Sequence, residues 1–369
     1  MPAPLLSVSR RTRSTPFTNR VTAAGVKAYT VYNHMLLPTV FESVEADYRH
    51  LKTDVQVWDV ACERQVEIFG PDAARLAQML TPRDLSRMRP DQCFYTPMVD
   101  ETGGMLNDPV TFQPTEDRYW VSIADSDLLF WIKGLADGMR LEVHVDEPDV
   151  SPLAIQGPKS DDLAATVFGD EVRDIRFFRF KKLPFEGHDF IVARSGYSKQ
   201  GGFEIYVDNY DLAEPLWDAL FKAGEEFNVR AGCPNLIERV EGGMLSYGND
   251  MTRENTPHEC GLGKFCNTQE AFSCVGRDAL LRVAADGPLR QIRSLAIHGD
   301  PLPPCGYLWP VFAGGEQIGQ VSSAAWSPDF TCNVAIAMIS LSHWDDGTTV
   351  EVETPDGMRS ATVKEQAFI

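Results

Sequence analysis

"VEIFGPDAARLAQML" occupies residues 66–80, and a related stretch, "LAIQGPKSDDLAATVF", occupies residues 153–168. Each begins with a short β-rich run, passes through Gly-Pro and continues with apolar residues at helical spacing. Because the first turn of a helix tolerates proline, Pro71 and Pro158 are typical of helix starts. The two stretches predict a duplicated strand–helix unit, and hence two related subdomains that share a centre. Chance recurrence of a common Gly-Pro turn is the alternative.

A different pattern follows in the C-terminal part of the chain. Two amphipathic helices are predicted, at residues 210–227 and 234–248, with inward faces formed by Leu212, Leu216, Leu220 and Ala223 in the first and by Leu236, Ile237, Val240 and Met244 in the second. Four later runs are typical of short strands joined by turns: residues 319–330, 332–339, 348–358 and 360–368. These strands predict a small separate β domain, either a barrel or a sandwich.

Charge and cysteine usage limit the classes of function. The chain has 34 Lys and Arg against 53 Asp and Glu, a net charge of −19, which disfavours binding to phosphate backbones or anionic lipid. No run of eighteen apolar residues predicts a membrane span. The eight cysteines form no CxxC pair and lie among apolar neighbours, as in reduced cytoplasmic proteins. The basic first twenty residues resemble a transit peptide in composition, but we expect an arm that docks on the acidic body.

Two polar stretches are candidates for chemistry, since nucleotide-binding, GxSxG and HExxH motifs are absent from the sequence. In "SGYSKQGGFEIY" (residues 195–206), period-two alternation separates Phe203 and Ile205 from Glu204 and Tyr206. Those two polar residues predict either the solvated face of an edge hairpin or a binding site. In "DETGGMLNDPV" (residues 100–110), Asp108 has apolar neighbours, so it is either a partly buried acid or a turn cap.

Several stretches, in order along nearly the whole chain, resemble the glycine cleavage T-protein family of tetrahydrofolate-dependent aminomethyltransferases. They include "IQGP", "GGMLNDPV", "SGYSKQGGFEIY", "EGGMLSYGNDMTRENTP" and "VETPDGMRSATVKEQAF". Others are similar to one branch of that family, the dimethylsulfoniopropionate demethylases: "YTVYNHMLLPTVFES", "VQVWDVACERQVEIFGPDA", "NLIERVEGG" and "ECGLGKFCN". The chain departs from the parent pattern at Lys199, and at "AGCPNLIER", which lacks the arginine that grips the folate tail.

The resemblance implies an α+β fold shaped as a three-domain cloverleaf. Residues 1–285 would form two intertwined α/β subdomains around a central folate channel, and residues 286–369 a C-terminal β-barrel. It also implies methyl transfer from dimethylsulfoniopropionate to tetrahydrofolate in the cytoplasm, without metal, flavin or nicotinamide. The expected partners are these two small molecules and, as one option, a second copy of the chain, but neither nucleic acid nor membrane. A glycine-cleavage-type aminomethyltransferase and a non-catalytic folate-binding maintenance protein stay open as alternatives.

The resemblance also implies roles for individual residues. Asp108 is the expected catalytic residue, orienting the N5 N–H of tetrahydrofolate and stabilising the positive charge that develops there. The expected folate-binding residues are Tyr95, Ser122, Glu204 and Tyr206. The expected substrate-binding residues are Tyr32, Phe178, Tyr197 and Lys199. Electron-rich rings suit a sulfonium cation, and Lys199 would pair with the carboxylate of the substrate. The arginines of the N-terminal arm are the next candidates for that carboxylate.

Overall fold

The computed structural model describes residues 9–269 and 272–369. The first elements are α1 (Thr18–Ala23), β1 (Ala28–Tyr32), β2 (Met35–Val40), α2 (Val44–Thr53) and β3 (Gln56–Asp59). Next come β4 (Gln65–Phe69), α3 (Ala73–Leu80), β5 (Cys93–Tyr95), β6 (Met98–Val99), β7 (Met105–Asn107), β8 (Val110–Thr115), β9 (Arg118–Ser122), α4 (Leu128–Gly138) and β10 (His144–Asp146).

The second part of the chain carries the remaining elements. It begins with β11 (Ser151–Gln156), α5 (Ser160–Phe168), β12 (Phe180–Phe185), β13 (His188–Ala193), β14 (Gly202–Val207), α6 (Ala213–Ala223), β15 (Arg230–Gly232) and α7 (Leu236–Glu241). It ends with α8 (Arg277–Asp286), β16 (Arg290–Ile297), β17 (Trp309–Ala313), β18 (Glu316–Ser327), β19 (Cys332–Ser340), β20 (Thr349–Thr354) and β21 (Gly357–Lys364).

The N-terminal region contains two large sheets. One has the strand order β10-β4-β9-β8-β5, and the other has the order β12-β13-β14-β11-β3-β15. Strand β3 immediately precedes β4 along the chain, yet the two strands lie in different sheets. The chain therefore starts one sheet with β3, builds the other from β4 to β10 and returns to the first with β11. The proposed domain boundary after residue 285 stays a prediction, and it falls at the end of α8.

The structure contains the predicted strand–helix unit twice, once in each sheet. Strand β4 leads into α3, and β11 leads into α5. At both junctions the glycine has a positive φ, +132° at Gly70 and +127° at Gly157. A Cβ atom at Gly70 would lie 2.8 Å from the Glu142 carbonyl oxygen, and one at Gly157 would collide with that of Asp54. The glycines are thus required by backbone conformation and by close packing.

We expect Gly157→Ala to destabilise the protein. The substituted residue would keep a φ that L side chains rarely adopt, which costs about 1–3 kcal/mol before the collision with the Asp54 carbonyl is counted. Gly134→Ala is the matched control, because Gly134 lies within α4 and has open space around it. That change should stabilise the helix by about 0.5–1 kcal/mol. Urea unfolding of both variants measures the difference, and an unchanged Gly157→Ala midpoint would contradict the argument.

The C-terminal strands form a closed barrel in the order β16-β19-β18-β17-β20-β21. The sequence left barrel and sandwich open, and the structure decides for the barrel. Helix α7 packs against this barrel on β18 and β19. The helix is shorter than predicted, because Gly242 and Gly243 end it, so Met244 lies beyond it. Its buried positions are Glu238, Arg239 and Glu241 together with Ile237 and Val240, whereas Leu236, also predicted to face inward, is half-buried.

The described part of the N-terminal arm lies against acidic side chains of the body. Arg13 donates to Glu147, and its backbone N–H donates to the carbonyl of His34 at 2.7 Å. Arg20 binds Asp218 through two nitrogens at 2.7 and 2.8 Å. Docking of the arm is therefore seen from Arg13 onward, and residues 1–8 lie outside the described residues. Among the residues with described positions, no helix is long and apolar enough to cross a membrane.

Candidate functional site

The candidate site lies where the two N-terminal sheets face each other. The Tyr206 ring from β14 packs on Phe112 of β8 and Trp120 of β9, with ring centroids 4.8 and 6.3 Å apart. Strand β14 is paired on both sides, with β11 and with β13. The interpretation of this segment as an edge hairpin with a solvated face is therefore wrong. Glu204 is 7% exposed and Tyr206 is 1% exposed, so both polar groups are buried between layers.

Two serine hydroxyls lie beside these two residues. The Ser195 hydroxyl donates to Oε2 of Glu204. Burial raises the pKa of Glu204, and this hydrogen bond opposes the rise. Burial also raises the pKa of Tyr206 far above its usual range, with a further contribution from the Glu204 charge. Ser122 lies near Tyr206 and lowers the pKa of that phenol, and the Ser122 hydroxyl accepts from Nε2 of Gln65 at 2.9 Å. The structure therefore brings together Glu204, Tyr206 and Ser122, three of the four residues predicted to bind folate.

Asp108 and Tyr95 form a second part of the site. Asp108 stands just before β8, and Tyr95 ends β5, which pairs with β8. The Tyr95 hydroxyl donates to Oδ2 of Asp108 at 2.6 Å. Asn107 fixes this segment by donating to the carbonyl of Ala124 at 3.1 Å and to Ser126 at 2.7 Å. Burial raises the pKa of Asp108 to about 7, while the Tyr95 hydrogen bond lowers it. Such a carboxyl group exchanges protons near neutral pH.

Two further tyrosines approach Asp108 from other elements. Tyr32 ends β1, and the turn after it is held by Asn33, whose side-chain amide donates to the carbonyl of Cys62 at 2.9 Å. Burial raises the pKa of Tyr32 far above its usual range, followed by the charges of Glu63 and Asp108. Tyr197 donates its hydroxyl to the carbonyl of Leu245 at 2.8 Å. Its pKa is also raised, first by burial, with Asp108 among the contributing charges.

Phe178 and Lys199 have different surroundings. Phe178 has a φ of +57° and packs against the apolar cluster that contains Tyr206. Lys199 is exposed, and its backbone N–H donates to Oε1 of Glu238 at 2.6 Å. Its side chain lies against Gly242. Burial raises the pKa of Glu238, and the backbone N–H and charge of Lys199 oppose that rise. Phe178 thus joins the other predicted residues, whereas the contacts of Lys199 are with α7 and the glycine after it.

Sequence reasoning missed Glu63, which lies between β3 and β4. Burial raises the pKa of Glu63 well above its usual range, and the charges of Glu204 and then Asp108 raise it further. The charges of Glu204, from one sheet, and of Asp108, from the other, therefore both act on Glu63. The only signal in the sequence was an acid that follows the apolar run "VAC" (residues 60–62) in the short connection between two buried strands.

The electrostatics of the site indicate which ligands it can accept. Carboxyl groups held close together in a low-dielectric setting are unfavourable as anions until a cation or N–H donors reach them. The aromatic rings beside them attract cations through their negative faces. A carboxylate also matches two adjacent N–H donors of a planar heterocycle. The site is therefore suited to a cationic ligand and to a ring rich in N–H groups.

Comparison with known proteins agrees with this architecture. The GCVT N-terminal domain profile matches residues 17–270, and the glycine cleavage T-protein C-terminal barrel domain profile matches residues 290–369. The crystal structure of the glycine cleavage system aminomethyltransferase T from Bartonella henselae has a TM-score of 0.86 and 23% identity, covering 97% of this chain and 98% of that one. The expected α+β fold with a C-terminal β-barrel is confirmed by this likeness.

Two sequence relatives differ in how close they are. The dimethylsulfoniopropionate demethylase DmdA of Ruegeria pomeroyi is 63% identical over 357 residues, which are 97% of this chain and 97% of that protein. An aminomethyltransferase of Caldanaerobacter subterraneus subsp. tengcongensis is 28% identical over 339 residues, which are 90% of this chain and 89% of that protein. Since both domain profiles match and together span most of the sequence, the chain belongs to the glycine cleavage T-protein family.

Proposed function

We propose that this protein transfers a methyl group from dimethylsulfoniopropionate to N5 of tetrahydrofolate, giving 3-methylmercaptopropionate and 5-methyltetrahydrofolate. The observation that carries the proposal is the 63% identity, over 97% of the chain, to a dimethylsulfoniopropionate demethylase. The aminomethyltransferase relative is much more distant, at 28% identity. The loss of the family's tail-gripping arginine in "AGCPNLIER" also supports the demethylase over that alternative.

The reaction needs little covalent chemistry from the protein. The N5 lone pair attacks the methyl carbon, the carbon–sulfur bond breaks, and its electron pair stays on sulfur as a neutral thioether. The positive charge moves from sulfur to N5, which then loses its proton. The thioether needs no protonation, so the main tasks are alignment of the two substrates and exclusion of water. A base near N5 is needed to accept that proton.

Asp108 is suited to this task. Its pKa of about 7 leaves it largely ionised at slightly alkaline pH, so it can stabilise the charge developing on N5 and accept its proton. The Tyr95 hydroxyl fixes one carboxyl oxygen at 2.6 Å, which leaves the other oxygen for the ligand. Asp108 therefore has both the proton affinity and the restricted orientation that a catalytic carboxylate requires.

The remaining residues divide between the two substrates. Glu204, which accepts from the Ser195 hydroxyl and has Tyr206 and Ser122 nearby, offers a buried acceptor for the N–H groups of the pterin ring. We assign Tyr95 to the same substrate. The rings of Tyr32, Tyr197 and Phe178 would hold the sulfonium, with each good contact contributing about 0.5–2 kcal/mol. Lys199 stays a proposal for the substrate carboxylate. The expectations that no metal, flavin or nicotinamide takes part, that the enzyme is cytoplasmic and that it forms a homodimer also stay predictions.

We expect the purified protein to convert dimethylsulfoniopropionate only in the presence of tetrahydrofolate. Mass spectrometry should detect 3-methylmercaptopropionate and 5-methyltetrahydrofolate in equal amounts, since one methyl group moves per turnover. Glycine-cleavage activity with an aminomethylated lipoyl carrier is the control reaction and should be absent. Demethylation without folate, or a failure of the two products to rise together, would contradict the proposed reaction.

A further inference from the structure

Arg83 is a half-buried cation beside the Tyr95 end of the site. It lies between α3 and β5, and its Nη1 donates to the Tyr95 carbonyl at 2.8 Å. The centre of its guanidinium lies 3.9 Å from the Phe94 ring centroid and 5.0 Å from that of Phe265. The Tyr95 ring itself packs edge-on against Phe265, with centroids 5.2 Å apart. Arg83 therefore contacts the backbone of the same tyrosine whose hydroxyl binds Asp108.

The guanidinium is held rigidly but is not neutralised. Its backbone is fixed by Nε2 of Gln78, which donates to the Arg83 carbonyl at 2.9 Å, and by the Thr81 hydroxyl, which accepts from the Arg83 N–H at 3.2 Å. Within residues 9–269 and 272–369, no carboxylate forms an ion pair with it. Burial alone lowers the pKa of Arg83, and no acid offsets this. A guanidinium has five N–H donors, and a single backbone carbonyl satisfies one.

A second cation lies against the same ring. Lys264 is exposed, and its Nζ lies 5.1 Å from the Phe265 centroid. The two positive charges beside this ring repel each other. An anion that reaches both would be attracted by each of them, which would outweigh the repulsion. A planar guanidinium with free donors matches a carboxylate through two parallel hydrogen bonds.

We propose that Arg83, assisted by Lys264, forms a carboxylate-binding subsite beside Tyr95, taking either the carboxylate of the sulfonium substrate or a carboxylate of the folate glutamate tail. The inference rests on the proposed function, because both ligands are its substrates. It assigns the carboxylate to a residue that sequence reasoning did not single out. Lys199, the earlier candidate, already has Glu238 as a carboxylate neighbour, and Arg13 and Arg20 of the arm already bind acidic side chains.

The test compares Arg83→Gln, Arg83→Lys and Lys199→Ala, with Arg75→Gln as the matched control. Arg75 is exposed on α3 of the same subdomain and makes no contact with the site residues. Each variant is assayed with dimethylsulfoniopropionate against trimethylsulfonium, which lacks the carboxylate, and with tetrahydrofolate against tetrahydropteroate, which lacks the glutamate. We expect Arg83→Gln to raise KM by about 10- to 100-fold for one carboxylate-bearing compound and not for its carboxylate-free analogue. Arg83→Lys should recover part of the loss.

The outcomes separate the two sources of the carboxylate. Selective loss in the sulfonium pair assigns the subsite to that substrate, and selective loss in the folate pair assigns it to the glutamate tail. The proposal would be overturned if Arg83→Gln left every KM unchanged, or raised KM equally for each compound and its carboxylate-free analogue. It would also be overturned if Arg83→Gln only lowered the melting temperature with a general fall in kcat, or if Lys199→Ala alone showed the selective rise in KM. Calorimetric binding of 3-methylmercaptopropionate and tetrahydrofolate to wild type and Arg83→Gln needs no turnover. It therefore tests the subsite even if wild-type protein proves not to be a demethylase.

Discussion

Asp108→Asn should lower kcat by about 100-fold or more while changing the affinity for tetrahydrofolate little. The amide keeps the shape of the side chain and still accepts from the Tyr95 hydroxyl, but it carries no charge and accepts no proton. Loss of one such electrostatic contact to a transition state typically costs about 10²- to 10³-fold in kcat. Single-turnover rates and separate binding measurements would distinguish the two effects. Unchanged kcat with tenfold weaker folate binding would give Asp108 a binding role only.

The pH dependence gives an independent test of the same residue. The pKa of Asp108 is raised to about 7, and the ionised form is the active one, so the wild-type rate should rise with pH through about 7. The pH–rate profile of Asp108→Asn should lack this rise, which is the acidic limb of the wild-type profile. Tyr95→Phe removes a hydrogen bond that lowers the pKa of Asp108, so the limb should move to higher pH in that variant. A limb that persists in Asp108→Asn would belong to another group, with Glu63 and Glu204 the nearest candidates.

The fold was predictable where the sequence itself carried strong local constraints. Gly70 and Gly157 need a positive φ and tolerate no Cβ, so the same Gly-Pro junction marks both strand–helix units. Alternation likewise identified Glu204 and Tyr206 as residues on one face. It could not show that both edges of β14 are paired and both of its faces are buried, because these properties depend on which strands flank it and which layers pack on it. The order of strands in a sheet is set by contacts distant in sequence, which local patterns do not record.

The candidate site was predictable through resemblance and only partly through physics. Glu63 has no motif of its own, and its raised pKa arises from burial and from the charges of Glu204 and Asp108, which are distant in the sequence. Arg83 was missed for a similar reason, since its aromatic neighbours Phe94 and Phe265 come from separate segments. Arg83 is significant because it has no acidic partner, and Glu63 because its charged neighbours are also acids. Both properties depend on which side chains meet in the folded protein, so the sequence alone does not show them.

Helix α7 also contains a buried interaction that the sequence pattern did not predict. Its periodicity predicted an amphipathic helix, yet Arg239 is buried and directed toward the barrel. The Arg239 side chain donates through Nη1 to Asp250 at 2.8 Å and through Nη2 to the Ser323 hydroxyl at 2.6 Å. Asp250 also accepts from the Ser322 and Ser323 hydroxyls at 2.6 Å each. The side chains of Arg239 and Asp250 are 10% and 0% exposed, so this ion pair joins the two parts of the protein away from water.

We expect Arg239→Met to destabilise the protein by about 3–5 kcal/mol, because it leaves the Asp250 carboxylate buried without its cation. Arg49→Met is the matched control, since Arg49 pairs with Glu45 at 2.8 Å while both side chains are more than half exposed, and its loss should cost under about 1 kcal/mol. Urea unfolding measures both changes. The Asp250 charge already raises the pKa of Asp108, so Arg239→Met should also move the acidic limb of activity to higher pH. Equal stability losses in the two variants would mean that the buried pair contributes no more than a surface pair.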